Sequence, residues 1–146
     1  MVKKIGVEKI EEIKKLFLDV FSNEPWKDEW ISDEQVTSYV LDIIDNNNSL
    51  AIGYYLDTKL VGLCLGTTFN WWQGKEIFIK EFCIDRSLQG KGFGKLFLKE
   101  LESLLKKDGI EAVTLATDRT FPAYDFYIRN GYQEQKDTAF FVKLLN

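Results

Sequence analysis

Six consecutive residues, Gln89-Gly90-Lys91-Gly92-Phe93-Gly94, carry the sharpest chemical signal in the chain. Glycine at alternate positions lets the backbone turn tightly and leaves its N–H groups uncovered by side chains. The run stands between a strand-like segment ending at Asp85 and a long helical segment. N–H groups at a helix N-terminus, backed by the helix dipole, suit a phosphate or pyrophosphate. A plain strand-to-helix turn uses the same glycines, so the run alone leaves both readings open. Spacing excludes two familiar phosphate loops. A Walker A loop ends in Gly-Lys-Ser/Thr, whereas Gly94-Lys95 is followed by Leu96. The dinucleotide fingerprint needs G-x-G-x-x-G after the first strand, and here the glycines run G-x-G-x-G late in the chain.

Other chemistries fall away on composition. The chain has no histidine, which removes Ser-His-Asp and Cys-His catalysis and the usual zinc sites. Cys64 and Cys83, the only cysteines, each lie inside an apolar run and make neither a disulfide framework nor a metal site. A net charge of −4 argues against a nucleic-acid binder and is compatible with a cationic substrate. No apolar run approaches the roughly 20 residues that span a bilayer, and the N-terminus lacks a signal-peptide apolar stretch. The expectation is a cytoplasmic protein with no metal, no nucleic acid and no membrane partner.

The elements that must position the loop can be read from periodicity. Val2 to Val7 reads as a strand, and Ile10, Ile13, Phe17 and Val20 recur at helical spacing up to Ser22. Residues 23–31 form a loop with Trp26 and Trp30. Ser32 then starts a second helix, with Gln35 as its capping-box partner and Val36, Tyr39, Val40, Ile43 and Ile44 as its buried face. Leu50 to Leu56 and Leu60 to Phe69 predict a hairpin through Asp57-Thr58-Lys59. A loop at Asn70 to Gly74 carries Trp71 and Trp72, and Glu76 to Asp85 is the next strand. The helix after the glycines buries Leu98, Leu101 and Leu105 and stops at Lys107-Asp108-Gly109. Glu111 to Thr117 completes a strand–helix–strand crossover, so its strand should run parallel to the one before the loop. Ala123 to Asn130 is a short helix stopped by Gly131. Tyr132 to Gln135 and Ala139 to Leu145 read as closing strands. At 146 residues, without repeats or linkers, the chain reads as one α/β domain with a mixed sheet. Four tryptophans in two places either line a cleft or cap the core edges.

Gln89-x-x-Gly92-x-Gly94 resembles the Q/R-x-x-G-x-G/A acyl-CoA loop of the GNAT N-acetyltransferase superfamily. Its flanks, Phe82-Cys83-Ile84-Asp85 and Lys95-Leu96-Phe97-Leu98, look like that family's. The segment from Ala123 through Phe126 and Tyr127 to Gly131-Tyr132 is similar to its A-x-x-F/L-Y-x-x-x-G-F/Y motif. The resemblance implies a single domain over residues 1–146. Its fold class would be α/β (α+β): a mixed, mostly antiparallel sheet with one parallel strand pair and about four flanking helices. It also implies acetyl-CoA as cosubstrate. Backbone N–H groups of Gln89, Gly90, Lys91, Gly92, Phe93, Gly94 and Lys95 would hold the pyrophosphate. The pantetheine arm would lie along Phe82, Cys83 and Ile84, in a splay beside the strand ending near Thr117, with Thr117, Thr120 and Tyr124 completing the cofactor contacts. One departure stands out: Thr120 occupies a position where family members often carry Asn, and it would bond the pantetheine arm or cap the helix.

The implied reaction is direct attack of a primary amine on the thioester. The amine must lose a proton and the leaving thiolate must gain one. Tyr127, in the family's tyrosine position, is the candidate acid, with a core tyrosine as the alternative. Glu81 is the candidate base, because a carboxylate in an apolar strand needs a task or a partner; a surface pairing or a water chain would also account for it. Glu24, Trp26, Asp28 and Trp30 suit an ammonium-bearing acceptor through charge and cation–π attraction. A polyamine, an aminoglycoside, an amino-acid derivative, a protein N-terminus or a lysine all fit. A non-catalytic acyl-CoA-binding regulatory module and an interaction domain using Trp71-Trp72 are the rival classes. A homodimer through the closing strands is a further expectation.

Overall fold

The computed structural model describes residues 1–146, in two compact units, Met1–Ala116 and Thr117–Asn146. The first unit holds a five-stranded sheet in the order β1-β2-β3-β4-β5: β1 Val2–Ile5, β2 Ser49–Leu56, β3 Lys59–Trp71, β4 Gly74–Ile84 and β5 Ala112–Leu115. The first four pair antiparallel, and β5 runs parallel to β4, as the crossover requires. The helices of this unit are α1 Ile10–Phe21, α2 Asp33–Ile44 and α3 Phe93–Lys107.

α1 and α2 start where the sequence places them, whereas α3 starts at Phe93, inside the run read as a turn. At α2, the Ser32 side chain accepts from the Gln35 N–H at 3.1 Å. The Gln35 side chain reaches back at 2.8 Å, but to the Ile31 N–H, one residue earlier than the usual box. The β2–β3 hairpin turns at Asp57, whose φ of 54° is tolerated by a short polar side chain.

Two apolar layers cover the sheet. On one face α1 and α2 pack Ile13, Phe17, Val20, Val36 and Val40 against Ala51, Leu63, Leu65 and Cys83. On the other, Phe97 of α3 meets Tyr54 at 5.0 Å and stacks on Phe82 at 4.9 Å between ring centroids. Lys14 is a buried charge in the α1–α2 layer, held by Asp33 at 2.9 Å and Glu11 at 3.5 Å. Burying a cation costs free energy unless it is paired, and these carboxylates supply the pairing.

One irregularity bears on the site. Along β3, Leu65 faces Glu81 of β4 and the next residue, Gly66, faces Ile79, so Lys80 is an extra residue on β4. Residues opposite one another share a face. Ile77 and Ile79 therefore point to the α3 side, and Glu81 and Cys83 to the α1–α2 side. A regular strand would have left all four on one face; the bulge re-aims the second pair. Gly66 is required here, because a Cβ would lie 2.6 Å from the Phe78 carbonyl oxygen.

The second unit contains α4, Pro122–Arg129, with Pro122 in its first turn and Tyr127 as its buried residue. The closing runs Tyr132 to Gln135 and Ala139 to Leu145 differ from expectation: neither is a strand. Alternating apolar residues make a strand only where a ladder partner takes up the backbone groups, and the second unit holds no strand of its own to supply one. Phe140, Phe141, Val142, Leu144 and Leu145 stand exposed. No helix is long and apolar enough to cross a membrane.

Candidate functional site

The glycine loop sits between a short 3-10 turn, Arg86–Leu88, and α3. Asp85 opens it: its carboxylate accepts from the Ser87 N–H at 2.9 Å and from the Ser87 hydroxyl at 2.7 Å. Those hydrogen bonds, the hydroxyl's foremost, hold the Asp85 carboxyl below its ordinary range. The Gln89 side chain donates to the Ile84 carbonyl at 3.0 Å, tying the loop to the end of β4. Gly90 and Gly92 have φ of 75° and 86°, the left-handed region that L side chains resist. A Cβ at either would meet nothing within 4 Å, so their backbone faces open space.

Gly92 is the N-cap of α3, and no side chain caps this end; its first turn carries no acidic residue. The N–H groups of Phe93, Gly94 and Lys95 therefore have no partner within the helix, and Lys91 and Lys95 are exposed beside them. By contrast α2 has Ser32, Asp33 and Glu34 at the same place. A pyrophosphate fits this donor set, which offers main-chain N–H groups, two lysines and a dipole of the right sign.

Beside β4, where a splay is expected, β5 ends early. β5 pairs with β4 only over Glu76 to Ile79, so the edge of β4 from Lys80 to Ile84 has no strand on that side. The strand predicted through Thr117 ends at Leu115. Phe82 turns its ring to the α3 face, while the Cys83 side chain is buried on the opposite one. Burial raises the Cys83 thiol, and it pushes that of Cys64 up to about 12. Both thiols are consequently poor nucleophiles.

Glu81 has a partner that sequence periodicity missed. The Tyr39 hydroxyl of α2 donates to Glu81 Oε1 at 2.6 Å across 42 residues. Burial raises the Glu81 carboxyl and nearby Asp28 adds to this, while the Tyr39 hydrogen bond and Lys80 pull it back. Burial, followed by the bond to Glu81, raises the Tyr39 phenol. Helical spacing places Tyr39 on the buried face of α2, and its ring does pack beside Trp30 at 5.2 Å and Phe17 at 5.9 Å. The signal that could have revealed the pairing is the phenol itself, since a buried tyrosine hydroxyl needs a hydrogen-bond partner.

The loop 22–32 divides its predicted residues. Trp30 and Trp26 pack on the core edge, Trp26 against Phe21 at 5.0 Å. The Trp30 indole nitrogen is buried without a hydrogen-bond partner. Asp28 is raised by partial burial and lies close enough to act on both Tyr39 and Glu81. Glu24 points away into solvent and pairs with Lys27 at 2.7 Å. An open cleft of about 310 Å³ between α1 and the β2–β3 hairpin is lined by Glu12, Lys15, Asp19, Lys59 and Asp85, among others, and includes no predicted site residue.

In the second unit, Tyr127 lies 5.3 Å from Phe126 and 5.4 Å from Tyr132 between ring centroids. Tyr124 donates its phenol proton to Glu134 at 3.0 Å. Thr120 does not cap α4, whose N-cap is Phe121 with no side-chain bond. Its hydroxyl and N–H instead engage Asp118 Oδ1 at 2.6 and 2.8 Å. Thr117 is exposed beyond the end of β5.

The site joins a bulged strand to an uncapped, glycine-led helix N-terminus, the donor set of an anion-binding loop. The chain belongs to the acetyltransferase (GNAT) family, whose model matches residues 10–132; the family uses acetyl-CoA as cosubstrate. No curated protein sequence matches significantly. Among solved structures, the chain is similar to an aminoglycoside acetyltransferase from an uncultured soil metagenomic sample in complex with sisomicin. The identity is 18%, covering 100% of this chain and 96% of that one, with a TM-score of 0.76. It is also similar to a possible acetyltransferase from Clostridium difficile, at 14% identity, 100% and 98% coverage and a TM-score of 0.82. A third is a GNAT family acetyltransferase from Staphylococcus aureus, at 19% identity, 99% and 98% coverage and a TM-score of 0.72. At these identities the likeness is one of fold.

Proposed function

We propose that residues 1–146 work as one N-acetyltransferase domain that moves an acetyl group from acetyl-CoA to the primary amine of a small cationic acceptor. The observation that carries this is the uncapped α3 N-terminus led by left-handed Gly90 and Gly92, in a chain of the GNAT family. When bound, acetyl-CoA supplies an activated acetyl group as a thioester. Main-chain N–H groups from Gln89 to Lys95 hold its pyrophosphate, and the β4 segment of Phe82, Cys83 and Ile84 aligns the pantetheine arm. Thr117, Thr120 and Tyr124 keep the supporting roles that the family motif gives them.

Glu81 takes the proton of the acceptor's ammonium, leaving a neutral amine. As the new C–N bond forms and the C–S bond breaks, the attacking nitrogen gives up its second proton to solvent, Tyr127 gives the leaving sulfur its proton and regains one from solvent, and Glu81 releases the proton it took to solvent. Tyr127 has this role from its place in the family motif, and Glu81 from its half-buried carboxylate on the bulged strand. Asp28 and Trp30, beside Tyr39 and Glu81, favour a cationic acceptor. Glu24 and Trp26 belong to the same loop and are assigned to its outer part. The soil acetyltransferase bound to sisomicin favours an aminoglycoside as the first acceptor to try. A polyamine, an amino-acid derivative and a protein amine are the other arms of the test. Exposed Phe140, Phe141, Leu144 and Leu145 favour a homodimer that covers them.

Calorimetric titration with acetyl-CoA, followed by thiol release against amines of each class, tests this function. Saturable binding with turnover of one class supports it. Binding without turnover of any amine favours a regulatory module. No binding at millimolar acetyl-CoA overturns the reading and leaves residues 89–94 as a turn.

A further inference from the structure

We infer that Tyr39 is a positioning residue for Glu81, fixing one carboxylate oxygen so that the other is presented to the acceptor's ammonium. This rests on the reading of Glu81 as the base. The geometry supports it at three points. The bulge at Lys80 turns Glu81 out of the α3 layer and towards α2, where the Tyr39 hydroxyl holds Oε1 at 2.6 Å. The Tyr39 ring is itself held between Trp30 and Phe17, so the hydroxyl's position is set by packing. The Tyr39 bond occupies Oε1, which leaves Oε2 as the oxygen to face the acceptor.

The arrangement answers a problem that a buried base presents. A carboxylate on an apolar strand tends to take up a proton and to rotate, and either change removes it as a base. A donated hydrogen bond favours its charged form, and anchoring one oxygen limits rotation. The charged neighbours are Asp28 from the loop 22–32, which opposes ionisation, and Lys80 beside it on β4, which favours it. Tyr39 is the neutral donor among them. It does not touch the reacting atoms in this scheme and acts through Glu81.

The test compares wild type, Tyr39→Phe and Glu81→Gln. Carbon-detected NMR of ¹³C-labelled glutamate follows the Glu81 carboxyl through a pH titration, with the Glu81→Gln spectrum identifying its resonance. Loss of the phenol proton should move the Glu81 midpoint upward by about one pH unit. With acetyl-CoA and sisomicin or spermidine as probes, the acid limb of the kcat/KM profile should move by the same amount. The thermal midpoint at neutral pH should fall by only a few degrees, the stability equivalent of that one-unit shift, because the ring that fills the layer remains. A midpoint that does not move in Tyr39→Phe overturns the inference, whatever the rates do. A wild type that turns over neither amine counts against the acceptor classes tested, and the titration still decides the role of Tyr39. Full activity in Glu81→Gln removes the base and the inference together.

Discussion

Replacing Gly92 with alanine separates anion binding from helix stability, because the same helix carries its own control. Gly92 leads α3 with φ 86° and Gly109 follows it with φ 79°, and a Cβ at either meets nothing within 4 Å. Neither substitution creates a clash, so each should cost only the left-handed strain of an L residue, about 1 kcal/mol. For a chain of this size that is a fall in Tm of about 2–4 °C. The two variants should therefore be matched in stability. They should differ in function, since relaxing the strain at Gly92 rotates the N–H groups of Phe93 and Gly94, whereas Gly109 faces no ligand in the proposed scheme. Losing one charge-assisted hydrogen bond to a phosphate weakens binding by about tenfold or more. Calorimetry with acetyl-CoA should show that weakening in Gly92→Ala and near-normal affinity in Gly109→Ala. Equal affinities in two equally destabilised variants would refute the argument that the backbone at Gly92 holds the pyrophosphate.

Three further outcomes follow from the same geometry. Tyr127→Phe should lower kcat by about 10²–10⁴-fold, the usual worth of a general acid, with acetyl-CoA affinity retained; unchanged kcat would remove Tyr127 from the chemistry. Asp28→Ala should raise the KM of a cationic acceptor more than Glu24→Ala does, because Asp28 lies near Tyr39 and Glu81 while Glu24 is paired with Lys27 in solvent; steady-state kinetics ranks the two. Ser87→Ala removes the hydroxyl hydrogen bond, the largest of the interactions that depress the Asp85 carboxyl, and keeps the backbone one. A depressed carboxyl contributes stability above its unfolded value, near 3.8, and loses it as pH falls through its lower folded value. The variant should accordingly be less stable than wild type at pH 7, by about 1 kcal/mol. Denaturant unfolding at both pH values should show the difference shrinking towards pH 3.

Much of this frame was legible because its causes are local. The Ser32 cap and the leucine spacing of α3 follow from neighbours a few residues apart, and the parallel pairing of β4 with β5 follows from the one helix that crosses between them. The bulge was not legible, because Ile77, Ile79, Glu81 and Cys83 stand at an even spacing that one straight strand would satisfy equally well. Only the register with β3 divides them between two faces. The Tyr39–Glu81 bond was missed for a related reason: helical period places Tyr39 on the buried side of α2 but carries no information about a partner 42 residues away. The closing runs misled in the other direction, since their pattern suits a strand and a pattern supplies no ladder partner. In the glycine loop, the sequence indicated a tight turn, while the left-handed backbone at Gly90 and Gly92 but not Gly94, and the absence of a capping side chain at α3, became visible only in three dimensions.

The bulge also governs where β4 can change in length. Both apolar layers grip the strand, one through Ile77 and Ile79 and the other through Cys83, whereas Lys80 is exposed and belongs to neither. Removing residue 80 leaves every remaining side chain on its present face and only straightens the strand. Removing any residue between Glu76 and Ile79 instead turns a buried isoleucine inside out or brings the bulge out of step with Gly66. Among relatives of this chain, a one-residue gap in β4 should therefore fall at position 80, and an alignment that puts it elsewhere in the strand pairs residues from opposite sides of the sheet.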